Sequence, residues 1–124
     1  MGEKKLFAIR GATQCLNSED DIQKQVALMY EEILSGNNMA EEDIVSVIFS
    51  VTRDLDAKNP AAALRQQGRA GELALFVTQE AYFPNSLERV IRVLVHCYLN
   101  ASREPVHVYR NGAELLRPDR LSKK

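Results

Sequence analysis

Arginines placed in or beside predicted strands are the residues of this sequence whose types and spacing could do chemistry. Arg10 lies in "AIRGA", Arg92 in "VIRVL", Arg117 in "LLRPD", and Arg65 on a short predicted helix. A guanidinium offers a rigid fork of donors that matches carboxylate and phosphate groups. Together the four indicate a pocket for a small anion with more than one such group, opposed by Glu80. Scattered surface arginines are the alternative interpretation.

Arg92 stands in the middle of "ERVIRVLVHCYLN", a run that is otherwise almost entirely apolar. As a helix, this run would place Arg92 on the flank of an apolar stripe, but the β-branched residues between positions 90 and 95 favour a strand. An arginine is almost never fully buried unless it is paired, so this position requires an anionic partner or a wet cleft. Exposure at a sheet edge, or a purely structural pair with Glu80, stays open as the alternative.

Several other chemistries lack the residues they need. No serine or cysteine lies in a nucleophile motif, and two histidines without a matching cysteine or acid cluster make no convincing metal site. Neither GxGxxG nor a P-loop is present. The sequence therefore predicts neither a metal nor a cofactor. With 16 basic and 17 acidic residues, the net charge of −1 also argues against nucleic acid or an anionic membrane as a partner.

Length and composition predict one domain spanning residues 1–124. No run approaches the roughly 20 apolar residues of a membrane span. The N-terminus "MGEKKLFAIRG" lacks the long apolar region of a signal peptide. We therefore expect a cytoplasmic protein in which Cys15 and Cys97 are free thiols.

The first half of the chain reads as strand, helix, strand. A short apolar segment predicts a strand near residues 4–12, stopped by Gly11. Ser18 is a suitable N-cap for a helix that ends at Gly36. Its apolar stripe consists of Ile22, Val26, Met29, Tyr30, Ile33 and Leu34. In "DIVSVIFSV", the apolar face predicted for the second strand is Val45, Val47, Phe49 and Val51, opposite Ser46 and Ser50.

The second half adds a short helix and further strands. Asn59 as cap, Pro60 at the first position and Gly68 beyond the end predict a short helix. "ELALFVT" predicts a strand, and Asn111-Gly112 between two apolar runs predicts a β-hairpin. The fold class is therefore α/β (α+β), with a mixed sheet of about five strands, one long helix and one short helix.

Five segments carry a resemblance that covers nearly the whole chain. They are "AIRGAT", "SVTRDLDAKNPAAALR", "TQE", "RVIRVL" and "HVYRNGAELLRPD". In order and spacing they resemble the monofunctional chorismate mutases of the small homotrimeric α/β class, which is unrelated to the all-helical class. The resemblance implies a trimeric pseudo-barrel and an isomerase that converts chorismate to prephenate in phenylalanine and tyrosine biosynthesis.

The resemblance also implies roles for individual residues. Arg92 matches the arginine that hydrogen-bonds the ether oxygen, where negative charge develops as the C–O bond breaks. Glu80 matches the glutamate that binds the ring hydroxyl and faces the electron-poor part of the ring. Arg10 and Tyr109 match residues that hold a substrate carboxylate.

Further matched positions surround this centre, in a pocket that the resemblance places between adjacent subunits. Phe76, Val77, Thr78 and Gln79, just before Glu80, match the pocket wall. Arg65, Leu116 and Arg117 match the pocket mouth and the C-terminal segment, where the arginines would steer and retain the dianion. The reaction needs no covalent intermediate, metal or proton transfer, in agreement with the missing nucleophile.

The pocket-rim segment departs from the family pattern at two positions. Asn59 precedes Pro60 where relatives often carry an aromatic residue, and Ala62 stands where some carry a charged one. We expect these changes to act on KM more than on the chemical step.

Two other functions are compatible with this architecture. One is a non-catalytic or regulatory trimer that binds small anions. The other is a trimeric enamine/imine deaminase, a family of similar fold with an arginine at the subunit interface. The spacing from "TQE" to "VIRVL" to "HVY" argues against the deaminase.

Overall fold

The computed structural model describes residues 2–117. They form a five-stranded mixed sheet with two helices on one face. In chain order the elements are β1 (Lys4–Gln14), α1 (Glu19–Gly36), β2 (Ile44–Val51), α2 (Pro60–Gln66), β3 (Ala74–Gln79), β4 (Val90–Asn100) and β5 (Val108–Arg110). Short 3₁₀ helices occupy Glu41–Asp43 and Ala113–Leu116. The predicted fold class, with one long and one short helix, is confirmed.

The strand order is β3-β2-β4-β1-β5, so β4 lies at the centre of the sheet. It runs antiparallel to both of its neighbours, β1 and β2. The outer strands β3 and β5 run parallel to β2 and β1. A sheet of this kind needs helical or long connections between its parallel pairs, and α2 connects β2 to β3.

The main core lies between the sheet and the two helices. The strand predicted for the run around Arg92 is confirmed, and its alternate residues Ile91, Val93, Val95, Cys97 and Leu99 are all buried. The predicted apolar stripe of α1 is buried against them. We call the opposite side of the sheet, which carries Leu6, Arg10, Arg92 and Tyr98, the open face, because α1 and α2 do not cover it.

Gly11 does not stop β1, so the predicted end of this strand near residue 12 is wrong. The strand continues to Gln14. A Cβ atom built on Gly11 would lie 2.8 Å from Val93 Cγ1 and 2.9 Å from Ile33 Cδ1. The glycine therefore lets α1 pack closely against the middle of the sheet, and it breaks no strand.

Val45 is not part of the apolar face of β2 as predicted, since its exposed fraction is 49%. The pairing of β2 with β4 shifts register between Ile44 and Ser46. This irregularity turns Val45 outward and lets Ile44, which is buried, take the inward position.

Both predicted helix caps are confirmed. The Ser18 hydroxyl accepts the N–H of Asp21 at 3.1 Å. The Asn59 side-chain oxygen accepts the N–H groups of Ala61 and Ala62 at 2.8 and 3.1 Å. Each cap satisfies donors that the first helical turn would otherwise leave without partners.

The hairpin predicted at Asn111-Gly112 is wrong. The two residues do adopt positive φ angles, of 57° and 101°. After them, however, the chain enters the 3₁₀ helix Ala113–Leu116, and β5 pairs in parallel with β1. Ala113 becomes fully buried against the open face, so packing decides the path after the turn.

Cys15 and Cys97 are free thiols, as predicted, and both are buried. Between residues 2 and 117, none of the helices is both long enough and apolar enough to span a bilayer.

Candidate active site

Strand register brings the central polar residues together on the open face. Arg92 of β4 lies opposite Ala12 of β1 on one side and Ser50 of β2 on the other. Tyr109 of β5 lies beside Ala12. Residues at matching register point to the same face, so Tyr109, Arg92 and Ser50 lie in one row across the sheet.

A cleft of about 300 Å³ opens over this row. Its lining consists of Arg10, Gly11, Ala12, Ile48, Ser50, Glu80, Arg92, Val93, Leu94 and Tyr109. The four residues predicted for the centre of the site, Arg10, Glu80, Arg92 and Tyr109, are thus all placed at one cleft. Its apolar walls lower the local dielectric, which strengthens electrostatic interactions inside it.

Arg92 and Glu80 form an ion pair, with 3.1 Å between Arg92 Nε and Glu80 Oε2. The Ser50 hydroxyl donates to the other carboxylate oxygen, Glu80 Oε1, at 2.9 Å. The side chain of Arg92 remains 47% exposed and that of Glu80 24% exposed. The structural pair between these residues therefore exists, but it lies in a cleft where a polar ligand can reach both charges.

The side chain of His107 holds the backbone of Arg10 in place. Its Nδ1 atom accepts the N–H of Arg10 at 3.0 Å, one residue before β5 begins to pair with β1. The sequence around His107 contains no signal that distinguishes this contact from simple exposure to solvent.

Ser50 is also absent from the site predicted from the sequence. The alternation of β2 places it on the polar face, but only the strand register shows that it lies beside Arg92.

A small second core closes one end of the open face. Ala12, Val90 and Ala113 are buried in it, and Leu87, Tyr109 and Leu116 pack against them. Leu116 thereby lies next to the site, in a depression that Glu80 and Arg92 also line. Arg117 follows at the end of the 3₁₀ helix, half-buried, and its N–H donates to the Glu114 carbonyl.

The other predicted residues lie away from the cleft of a single chain. Phe76 and Thr78 of the edge strand β3 share the open face, and Phe76 is 65% exposed. Val77 points to the helical side, where it packs against the main core, while Gln79 is exposed at the strand end. Arg65 is exposed on α2, behind the sheet.

Three groups with shifted pKa values belong to the main core. Burial raises the pKa of the Cys15 thiol to about 11 and also raises the pKa of Cys97. Burial, with a hydrogen bond to Glu41, raises the pKa of Tyr30. Their neutral forms suit an apolar interior.

Metal-binding clusters are not found within the described range: residues 2–117 contain no group of three or more His, Cys, Asp or Glu side chains that could hold an ion. The cleft instead offers two arginine side chains, a carboxylate and two hydroxyl groups to a polar organic ligand.

Sequence comparison identifies relatives across most of the chain. The family model described as chorismate mutase type I matches residues 6–120. The chain is 31% identical over 113 residues to chorismate mutase AroH of Bacillus subtilis (strain 168), covering 90% of this chain and 89% of that one. It is 34% identical over 117 residues to chorismate mutase AroH of Thermus thermophilus, covering 90% and 95%.

Structural comparison agrees. A chorismate mutase from Clostridium thermocellum superposes with a TM-score of 0.80 and 41% sequence identity, covering 88% of this chain and 98% of that one. The deaminase and non-catalytic alternatives find no support among these relatives.

Proposed function

The chain belongs to the type I chorismate mutase family, and on that premise we propose that the cleft around Arg92 and Glu80 is its catalytic centre. The activity follows from the family: the protein is an isomerase that rearranges chorismate to prephenate in aromatic amino acid biosynthesis. The observation that supports the proposed centre is the convergence of Arg10, Glu80, Arg92 and Tyr109 on one cleft.

The rearrangement defines what the cleft must do. One C–O bond breaks while one C–C bond forms within the same molecule, so neither a nucleophile nor a proton acceptor takes part. The flexible substrate must be held in a compact conformer, and the charge that separates in the transition state must be stabilised. A cleft with fixed charges on a rigid sheet can do both.

Arg92 is the proposed donor to the ether oxygen. Its guanidinium is held at the centre of the sheet, beside a carboxylate and still half exposed. A preorganised donor at a developing negative charge contributes about 3 to 4 kcal/mol to transition-state stabilisation.

Glu80 is the proposed counter-charge, which accepts from the ring hydroxyl and faces the electron-poor part of the ring. Arg10 and Tyr109, on the β1–β5 side of Arg92, are the proposed carboxylate-binding residues. Leu116, the last residue of the 3₁₀ helix, packs against the second core, and Arg117 follows it; these two residues are proposed to form the mouth.

A homotrimer is proposed to complete this site. The open face of a single chain exposes Leu6, Phe76 and Tyr98 to fractions of 50%, 65% and 47%. Exposed apolar side chains in such a number on one side of a sheet are typical of an interface. A second copy that covers this face would bring its Arg65 and the segment Phe76, Val77, Thr78 and Gln79 to the cleft.

We also propose that residues 1–124 form one domain and that the protein is cytoplasmic.

The test of the catalytic centre is the loss of the diene absorbance of chorismate. Wild type should consume chorismate, with prephenate identified by its acid conversion to phenylpyruvate, while Arg92→Ala should be inactive but folded by circular dichroism. An Arg92→Ala variant with wild-type turnover would contradict the assignment of the centre.

A further inference from the structure

Ser50 makes a contact to the proposed catalytic carboxylate that the family assignment does not explain. We propose that Ser50 is a positioning residue, which fixes the orientation of the Glu80 side chain for the reaction. This inference rests on the active centre proposed above.

The geometry gives each carboxylate oxygen of Glu80 its own partner. Ser50 lies on β2, at the register position of Arg92 on β4 and of Thr78 on β3. Its hydroxyl donates to Glu80 Oε1 at 2.9 Å, and Arg92 Nε contacts Oε2 at 3.1 Å. Adjacent strands therefore hold the carboxylate from two directions.

The backbone of Glu80 alone cannot fix its carboxylate. Its N–H donates to the Val51 carbonyl at 2.8 Å, which holds the residue against β2 after β3 has ended. A glutamate side chain nevertheless keeps several rotatable bonds and much conformational entropy beyond that point. Ser50 removes part of this freedom, since its own short side chain is attached to the same central region of the sheet.

Without the Ser50 hydroxyl, the attraction to Arg92 would be the stronger constraint on the Glu80 side chain. Guanidinium and carboxylate groups favour a two-pronged pairing, in which both oxygens contact the same guanidinium. Such a pair would occupy Arg92 donors that the substrate needs. We therefore assign to Ser50 the function of keeping Oε1 away from Arg92.

Ser46 provides a matched control within the same strand. It lies on β2, half-buried on the same face, and its hydroxyl is 3.1 Å from His96 Nδ1. It is not one of the residues that line the cleft within the described chain. If Ser50→Ala acted only by removing a polar group from the open face, Ser46→Ala would lower kcat by the same factor.

The experiment is steady-state kinetics with chorismate on wild type, Ser50→Ala, Ser50→Thr and Ser46→Ala. Loss of one hydrogen bond to a charged group predicts a fall in kcat of about tenfold for Ser50→Ala, with a smaller change in KM. Ser50→Thr keeps the hydroxyl and suits a strand, so it should recover to within about threefold of wild type. Ser46→Ala should keep a kcat within about twofold of wild type, because Ser46 is not among the described residues that line the cleft.

A double-variant cycle tests whether Ser50 acts through Glu80. In a Glu80→Ala background, Ser50→Ala should reduce kcat by less than about twofold, because the group that it positions is missing. Full additivity of the two effects would overturn the proposal. If Ser50→Ala folds poorly, Ser50→Cys provides a substitute of similar size whose thiol is only a weak donor, and its kcat should lie below those of wild type and Ser50→Thr.

The two proposals fail in different ways. Turnover by Glu80→Ala at the wild-type rate would reject the active centre. Loss of activity in Glu80→Ala, together with Ser50→Ala indistinguishable from Ser46→Ala, would leave the centre standing and reject the function of Ser50.

Discussion

The role proposed for Arg92 depends on the shape of its side chain as well as on its charge. Arg92→Lys keeps a positive charge but loses the planar fork and moves the donor, so we expect kcat to fall at least about tenfold with the fold intact. Chorismate turnover and circular dichroism provide the measurement. Arg103→Lys is the control, since Arg103 lies beyond the end of β4 and donates to the backbone carbonyls of Asn37 and Asn38, just after α1. Wild-type turnover by Arg92→Lys would refute this role.

The division between centre and mouth gives a second prediction. Glu80→Gln removes the proposed counter-charge and should mainly lower kcat, whereas Arg117→Ala should mainly raise KM, because Arg117 is proposed to retain the dianion at the mouth. Steady-state kinetics that determine kcat and KM separately for both variants provide the measurement. The reverse pattern, with kcat lost in Arg117→Ala and KM raised in Glu80→Gln, would refute the division.

Cys15 gives a prediction for the pH dependence of stability. Its pKa in the folded protein is about 11, above the ordinary value of 9.0, because it is buried. The folded state therefore keeps a proton that the unfolded state loses, and this stabilisation is present below about pH 9 and disappears as the pH rises through 11. Urea unfolding under reducing conditions should show a steeper fall over this range for wild type than for Cys15→Ala. Equal slopes would contradict the prediction.

Single residues were predictable from the sequence to different degrees. A lone arginine in an apolar strand was sufficient to single out Arg92. Arg10 and Glu80 were also candidates from their residue types, but their individual roles, and the choice of Tyr109, depended on the resemblance to a family. Ser50 and His107 were not predicted, since their importance is a matter of register, which places Ser50 beside Arg92 and His107 beside Arg10.

At the level of elements, the contact between α1 and β1 depends on Gly11. A methyl group at this position would meet Val93 Cγ1 at 2.8 Å and Ile33 Cδ1 at 2.9 Å. We expect Gly11→Ala to destabilise the protein by about 1–3 kcal/mol, the usual cost of overpacking. The free energy of unfolding in urea provides the measurement. Gly71→Ala is the control, because a Cβ atom there has no neighbour within 4 Å among the described residues, and an equal effect of both changes would contradict this prediction.

Elements with local signals were predicted well, and those decided by tertiary packing were not. The caps of both helices and the alternation in β4 are local features, and the structure confirms them. A turn is also present at Asn111-Gly112, with positive φ angles at both residues, although it leads into no hairpin. The path of the chain beyond this turn depends on the burial of Ala113 against Ala12 and Val90, residues distant in sequence. No local pattern contains that information.

For the whole molecule, activity is expected to require assembly. Tyr98→Glu places a charge on the open face and should dissociate the proposed trimer, with loss of turnover, because a single chain leaves Arg65 behind its own sheet. Sedimentation analysis combined with chorismate turnover provides the measurement. Leu28→Glu is the control, since Leu28 is 40% exposed on α1, away from the open face. A fully active monomer would refute the requirement for a trimer.

The proposed trimer could not be predicted from the periodicity of the sequence. Mixed faces such as that of Val90, Arg92 and Leu94 are compatible with a covering partner, but they do not specify one. The exposed apolar residues of the open face become visible as one surface only after five strands are placed in register.

The alternation in β4 links two properties that are usually measured separately. In this segment of 11 residues, odd-numbered side chains from Ile91 to Leu99 fill the main core, whereas even-numbered ones from Arg92 to Tyr98 face the cleft or the open surface. We therefore expect a substitution at an odd position to reduce the amount of folded enzyme in a cell, and one at an even position to reduce the specific activity of enzyme that is still abundant. A set of single substitutions along β4 should therefore alternate, residue by residue, between variants with less protein and variants with a lower catalytic rate.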